Sequence, residues 1–288
     1  MANTLNGINI AQVAQESLGV LLEEMTPLNA FTLDLSANLA DRGESVTTRV
    51  AGAVSAGDAS SGYTASDVSS TAKTVNLSNH KHFTMGFSDL EIAKGGFDVI
   101  QRTFIRPAVH AIAKSMMNDA LALVDDSNFT SSQDGSGGFS ADLAADCAGA
   151  LDANNVPKVD RSVILNATSY TALAKDDSIR AAYAFGSADA IRNNVVPRVH
   201  GFDLYEYTAL DSSLAGIACA KEGIIIAARQ PAIPQNWNGA TESVTADNGM
   251  TLQFRSWYEG KDGKQYLTAT AIYGVAVGVS ENLIRVTA

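Results

Sequence analysis

Hydrophobic and polar residues alternate in two stretches of the chain, Val46-Thr47-Thr48-Arg49-Val50 and Lys73-Thr74-Val75-Asn76-Leu77, the second running on to Phe87. Between them lies a Ser/Gly/Ala/Thr-rich run that offers almost nothing to a hydrophobic core. Alternation with a period of two predicts strands, and a long segment that cannot bury itself does not belong inside a compact domain. Residues 46–87 are therefore expected to form one extended hairpin. Roughly 18 residues per leg at about 3.3 Å each would reach about 60 Å, whereas a compact chain of this length has a radius of gyration near 20 Å. Such an arm most simply reaches another molecule. On its returning leg Val75, Leu77, Phe83, Met85 and Phe87 share one parity, and His80, His82 and Thr84 the other. The tip, 55–72, carries Gly57 and Gly62 without a fixed turn signal and is expected to be mobile when unpartnered.

Elsewhere the apolar period is helical or strand-like in turn. Ile10, Val13, Ala14, Leu18 and Leu21 fall on one face of a short helix, with Asn9 and Gln12 spaced as a capping box. Thr26-Pro27 should end it, leaving 28–39 extended. Ser88 and Glu91 form a second capping box, and Gly95-Gly96 separates that short turn from a long helix over 97–124. Its stripe is Phe97, Ile100, Phe104, Ala108, Ile112, Met116 and Ala120, about 40 Å long. Pro107 inside it implies a kink or a division into two helices. The Gly135-Ser136-Gly137-Gly138 run marks a loop, after which Ser140 can cap a helix carrying Leu143, Cys147 and Leu151. Val163 to Leu165 reads as a buried strand, Asn166 as the cap of a helix through Leu173, and 178–192 as one or two further helices. Strands are expected at 195–199, 202–207, 217–220 and 223–228, a loop at 231–237, and two long antiparallel strands at 250–258 and 266–279 joined by Gly260-Lys261-Asp262-Gly263.

The chain has 288 residues, 46% hydrophobic and 18% charged, enough for one large core or two smaller ones. No apolar run approaches the roughly 20 residues that span a bilayer, so no membrane association is expected, and the first basic residue is Arg42, unlike the positive start of a signal peptide. Acidic residues outnumber basic ones 31 to 20, and the net charge of -11 would repel nucleic-acid phosphates, which argues against sequence-specific DNA binding. An acidic surface suits solubility, and also a container whose wall should not adhere to a polyanion. The two cysteines, Cys147 and Cys219, lack metal-ligand or redox spacing and read as buried thiols.

Candidate chemistry is thin. His80 and His82 put two imidazoles on one side of a strand, but no third ligand is near in sequence, so a polar strand face is the reading and no metal or cofactor is expected. No Gly-x-Ser-x-Gly elbow accompanies the Ser, His and Asp residues. The glycine-rich loop at 135–138 lacks the Gly-Lys-Ser/Thr ending of a phosphate loop. Asp125-Asp126 and Asp176-Asp177 are neighbours in sequence, as solvated loop residues usually are. No catalytic residue is assigned, and the chain is not expected to be an enzyme.

The order of elements, from N-terminal arm through extended loop and spine helix to a mixed α/β segment and final long strands, resembles the major capsid proteins of tailed bacteriophages with the Hong Kong 97 (HK97) fold. Four local stretches carry the resemblance: Ser162-Val-Ile-Leu-Asn-Ala-Thr-Ser-Tyr170, Val199-His-Gly-Phe-Asp-Leu-Tyr205, Cys219-Ala-Lys-Glu-Gly-Ile-Ile-Ile-Ala-Ala-Arg-Gln-Pro231 and Ile272-Tyr-Gly-Val275. The resemblance implies an α+β HK97-like fold with an N-terminal arm over 1–45, an E-loop over 46–87, a P domain from 88–139 and 231–288, and an A domain over 140–230. It implies a structural protein of the virion, assembled in the host cytoplasm as hexamers and pentamers into an icosahedral shell that encloses double-stranded DNA. A separate scaffolding protein, a portal and a decoration protein are possible partners in such a shell. Arg49, Lys73, Lys81 and Phe83 are the candidate contacts between subunits. Some relatives cross-link the E-loop through a lysine; none is expected here. Two alternatives stay open: an encapsulin-like bacterial nanocompartment shell, and a soluble α/β enzyme.

Overall fold

A computed structural model describes residues 26–40, 43–51, 60, 70–95, 97–182, 198–235, 237–245 and 251–288. The expected helix over 10–22, most of the tip and the second half of 178–192 lie outside these, as do the side chains of 94–106 and 48–51.

In chain order, a 3-10 turn at Thr26–Ala30 leads into β1 (Thr32–Ala40), β2 (Ser45–Ala51), β3 (Ser70–Asn76) and β4 (Asn79–Ser88). Helices α1 (Asp89–Gly95) and α2 (Phe97–Leu121) follow, then β5 (Ser132–Asp134), α3 (Ala141–Ala153), β6 (Arg161–Leu165), α4 (Ala167–Lys175) and α5 (Asp177–Ala182). Strands β7 (Phe202–Glu206), β8 (Leu214–Ala220), β9 (Ile224–Pro231), β10 (Ala240–Thr245), β11 (Thr251–Glu259), β12 (Lys264–Val277) and β13 (Leu283–Thr287) complete the chain.

Two sheets dominate. The larger has the order β1-β9-β12-β11-β10, with β4 also paired to β12. Its axis is β12: residues 264–273 pair with β4, while 264–270 pair with β11 and 272–277 with β9. One face of this sheet, built from Met85, Phe87, Leu267, Ala269, Ala271, Tyr273, Phe254 and Ile226, packs against Val109, Ile112, Ala113, Met116, Met117 and Ala120 of α2. The smaller sheet, β5-β13-β8-β6-β7, has its own core with Ala144, Cys147 and Leu151 of α3 and Leu173 of α4. Between the two cores runs β8, whose seven residues are all buried. A strand covered on both faces reads as an unbroken apolar run. Gly216 lets it lie close to β6, since a Cβ there would stand 2.5 Å from Leu165 Cδ2.

Capping follows the sequence closely. Ser140 Oγ accepts from Leu143 N at 3.2 Å and Asn166 Oδ1 from Ser169 N at 2.8 Å, each meeting a helix N–H that has no intrahelical partner. At α1 the reciprocal box forms: Ser88 N donates to Glu91 Oε2 at 2.8 Å and Glu91 N to Ser88 Oγ at 3.4 Å. The long helix is unbroken through Pro107 and stops at Leu121, three residues short of the expected end. Ala108, Ile112, Met116 and Ala120 of its stripe are buried.

Several strand expectations need correction. Of the expected strand 195–199, the described part holds only an isolated bridge, Val199 to Phe202, closed over His200 and Gly201, both with positive φ (46° and 87°). Strands β5, β10 and β13 were not expected; β10, Ala-Thr-Glu-Ser-Val-Thr, has no large side chain to set its period. Strand partnership also crosses the expected spans, because β9 joins the larger sheet while β5 and β13 join the smaller one.

A buried cation fastens the smaller core. Arg161, 2% exposed, donates from Nε to Pro157 O (2.9 Å) and from the guanidinium to Ala148 O, Val156 O and Asp152 Oδ1. It thereby joins the C-terminal end of α3 to the start of β6. Arg161→Ala would strand the buried Val156 carbonyl and remove three part-buried bonds, and should lower stability by about 1–3 kcal/mol in urea unfolding. An unchanged midpoint would contradict the clamp.

Loop carboxylates accept backbone and hydroxyl donors throughout. Asp176 takes Ala141 N at 3.0 Å and Ser178 N at 2.8 Å, and these bonds hold its carboxyl below the ordinary 3.8. Asp125, Asp134 and Asp211 are lowered in the same way, Asp125 and Asp211 chiefly by Ser127 and Ser213 side chains and Asp134 by Ser136 N. A depressed folded pKa gives stability that is complete above the unfolded value and drains as pH falls through the folded one. Stability should therefore be flat from about pH 7 to 5 and fall below about pH 4; a midpoint at pH 3 equal to that at pH 7 would refute this.

Candidate functional site

The hairpin is where the structure departs most from its sequence reading. Strands β2 and β3 pair antiparallel from Ser45↔Asn76 to Ala51↔Ser70 as a separate two-stranded sheet. Gly43 N to Leu77 O (2.9 Å) and Leu77 N to Glu44 O (2.8 Å) extend the ladder at its base. A tight turn then intervenes, with Ser78 N donating to Asn76 O at 2.8 Å, and β4 departs into the larger sheet. The returning leg is thus two strands, and 79–88 belongs to the body. Among the described residues regular pairing in the hairpin covers seven residues per strand, about 23 Å, and its returning leg ends at the turn before Asn79 and does not run on to Phe87.

The same turn resets the parity. Met85 and Phe87 face α2, whereas Val75 and Leu77 pack with Ile225, Ala227 and Ile272 on the opposite face of the sheet. Both are 1% exposed, so the hairpin is rooted by its own apolar base. Close approach is possible because β12 has a glycine beneath: a Cβ on Gly274 would lie 2.1 Å from Asn76 O and 3.0 Å from Val75 Cγ1.

The four candidate contact residues divide between the two parts. Arg49 pairs with Ala72 and Lys73 with Thr48, so the register puts them on opposite faces of the hairpin; the side chain of Arg49 lies outside the described residues. Lys81 and Phe83 share the α2-facing side of β4, opposite Ala271 and Ala269. Lys81 Nζ lies 3.9 Å from Asp119 of α2, an ion pair within the chain. Phe83, between Lys81 and the buried Met85 on that face, is 39% exposed.

On the other face His80 Nε2 lies 2.8 Å from Thr270 Oγ1, His82 Nδ1 3.0 Å from Thr84 Oγ1, and Thr84 Oγ1 2.7 Å from Thr268 Oγ1. The imidazoles belong to a hydroxyl ladder along β4 and β12, and no group of three potential metal ligands converges among the described residues. Beside the ladder, 231–237 crosses β11: Gln253 donates to Pro231 O at 3.0 Å and Arg255 to Ala232 O at 2.9 Å. Trp237 meets Trp257 edge-on at 5.4 Å, and Trp257 stacks on Tyr266 at 5.2 Å. This aromatic strap escaped the sequence reading, since its members are far apart in the chain; the only local signal was two tryptophans bracketing a polar strand.

Titratable groups elsewhere serve packing. Burial pushes the thiols of Cys147 and Cys219 up to about 12, as unreactive buried cysteines. Tyr273 Oη donates to Asp119 Oδ2 at 2.5 Å, tying β12 to α2, and burial with this bond raises its phenol above the ordinary value. Among the described residues, no helix is long and apolar enough to cross a membrane.

The sequence matches no protein-family model, and no curated protein aligns with it. Solved structures do share its fold. The capsid of the cyanophage P-SCSP1u is similar over 90% of this chain and 86% of its own, with 14% identity and a TM-score of 0.60. A Mycobacterium phage Che8 structure covers 85% and 84%, at 17% identity and a TM-score of 0.57. A virus-like particle from Pyrococcus furiosus covers 97% and 100%, at 12% identity and a TM-score of 0.52. The chain therefore has an α+β fold shared with phage capsid structures.

Gly274→Val should loosen the hairpin without unfolding the body. Overpacking of this kind costs about 1–3 kcal/mol, and hydrogen exchange in 70–77 should quicken while β11 stays protected. Equal protection of 70–77 in variant and parent would show that the close approach is not needed.

Proposed function

We propose that this chain is a structural major capsid protein of a tailed bacteriophage, with the HK97-like arrangement, rather than an enzyme. In this reading copies assemble in the host cytoplasm as hexamers and pentamers and close an icosahedral virion shell around double-stranded DNA. Residues 1–45 form the N-terminal arm, the E-loop is the β2–β3 hairpin within 46–87, 88–139 and 231–288 form the P domain with α2 as its spine, and 140–230 forms the A domain.

The observation that carries the reading is fold likeness to phage capsid structures over nearly the full length of both chains. The rooted hairpin supports it physically, because β2 and β3 hydrogen-bond to one another and join the ladder of neither main sheet. A two-stranded ribbon alone is marginal in water, so its free length gains from lying on a neighbouring subunit. Arg49, Lys73 and Phe83 are the proposed contacts there, with Lys81 beside them. No covalent cross-link is proposed. A scaffolding protein, portal and decoration protein are the partners this assembly would use. The likeness to the Pyrococcus particle fits a shell as well, without favouring a protein-loaded compartment.

Deletion of 55–69, which leaves both hairpin strands intact, should preserve the folded subunit by circular dichroism and abolish closed shells by electron microscopy. Normal shells from this variant would remove the hairpin from assembly.

A further inference from the structure

Three Asn-Gly pairs occur in the chain, at 6–7, 238–239 and 248–249, and the second lies among the described residues. It joins the strap residue Trp237 to the first residue of β10, and the chain bends at Gly239. Packing requires a glycine there: a Cβ would stand 2.4 Å from Ser256 O and 3.0 Å from Trp237 Cε2 and Cζ2. Asn238 and Gly239 are both exposed, and no hydrogen bond among the described residues holds the Asn238 side chain or Gly239 N. Asparagines elsewhere differ on both counts. Asn118, Asn128, Asn154 and Asn166 have their side-chain amides in hydrogen bonds, and the residues that follow them are Asp119, Phe129, Asn155 and Ala167.

An asparagine amide followed by glycine is open to attack by the next backbone nitrogen, because no Cβ shields that nitrogen or limits the rotation that brings it to the side-chain carbonyl. From this exposed, unbonded pair, whose glycine the packing enforces, we infer that Asn238-Gly239 is a self-modifying site: it converts without an enzyme to aspartate and isoaspartate, and the conversion loosens β10. Gly239 N loses its proton and bonds to Asn238 Cγ; the Cγ–Nδ2 bond breaks, ammonia leaves and a succinimide ring closes. Water then opens the ring. Cleavage at Cγ gives aspartate, and cleavage at the main-chain carbonyl gives isoaspartate, whose backbone runs through Cγ; no oxidant or reductant is required. Either product puts a carboxylate next to Trp237 in the chain, and the Arg255 guanidinium lies 5.6 Å from the centre of that ring. Isoaspartate also lengthens the backbone just ahead of the first β10 pair, Ala240↔Ser256. Strand β10 is six residues at the edge of its sheet, bonded to β11 alone and without a large side chain, so little in it resists a slip of register. This chemistry is independent of assembly.

The test is ageing of the full chain at mildly alkaline pH, folded and in urea, followed by mass spectrometry of the tryptic peptide 230–255, whose fragments separate Asn238 from Asn236 and Asn248. Fragments containing residue 238 should shift from the amide to the acid mass in the folded chain as they do in urea, with isoaspartate among the products. Retention of the amide at 238 in the folded chain, after the unfolded chain has converted, would overturn the inference. Hydrogen exchange supplies the second readout: 240–245 should lose protection in the aged parent and keep it in aged Asn238→Gln, whose longer side chain has to close a larger ring and reacts far more slowly. Equal loss in both chains, or full protection of 240–245 in the converted parent, would contradict the link to β10.

Discussion

Burial of β12 on both faces is the constraint on which the rest of this structure depends. At 14 residues it is the longest strand among the described residues, and it is edged by β4 on one side and by β11 and β9 in succession on the other. Over one face lies α2, held by apolar packing and by the bond from Tyr273 to Asp119. Over part of the other lies the root of the hairpin, admitted by Gly274. Under the proposed assembly role a subunit would have to carry force between neighbours without shearing, and a strand clamped on two faces and two edges suits that task. Loss of either cover would expose an apolar surface, so the spine helix and the hairpin root support each other through the sheet.

Much of this was legible in the chain because it is locally determined. Caps at Ser88, Ser140 and Asn166 form as their side chains dictate, and the turn at Gly260 to Gly263 joins two strands whose alternation is plain. What escaped depends on partners distant in sequence. The parity of 73–87 looks continuous, yet a single turn at Ser78 sends Val75 and Met85 to opposite faces, and only the register against β12 decides this. Strands β10 and β13 are short and draw their order from β11 and β8, which no local window contains. Pro107 posed a choice that local chemistry left open; the structure has one unbroken helix there and not two.

The candidate site was legible in kind more than in detail. The segment that could not build a core is, in its described part, a separate two-stranded ribbon, rooted through Val75 and Leu77 where Phe83, Met85 and Phe87 had looked like its anchor. Apolar residues fix both the ribbon and the helix to the sheet.

The central claim, that this is a shell-forming subunit, is tested most directly by sedimentation of the native protein across salt and concentration. The account predicts a fast-sedimenting species of many copies, in the size range of closed particles. A protein no larger than a tetramer under every condition would contradict it.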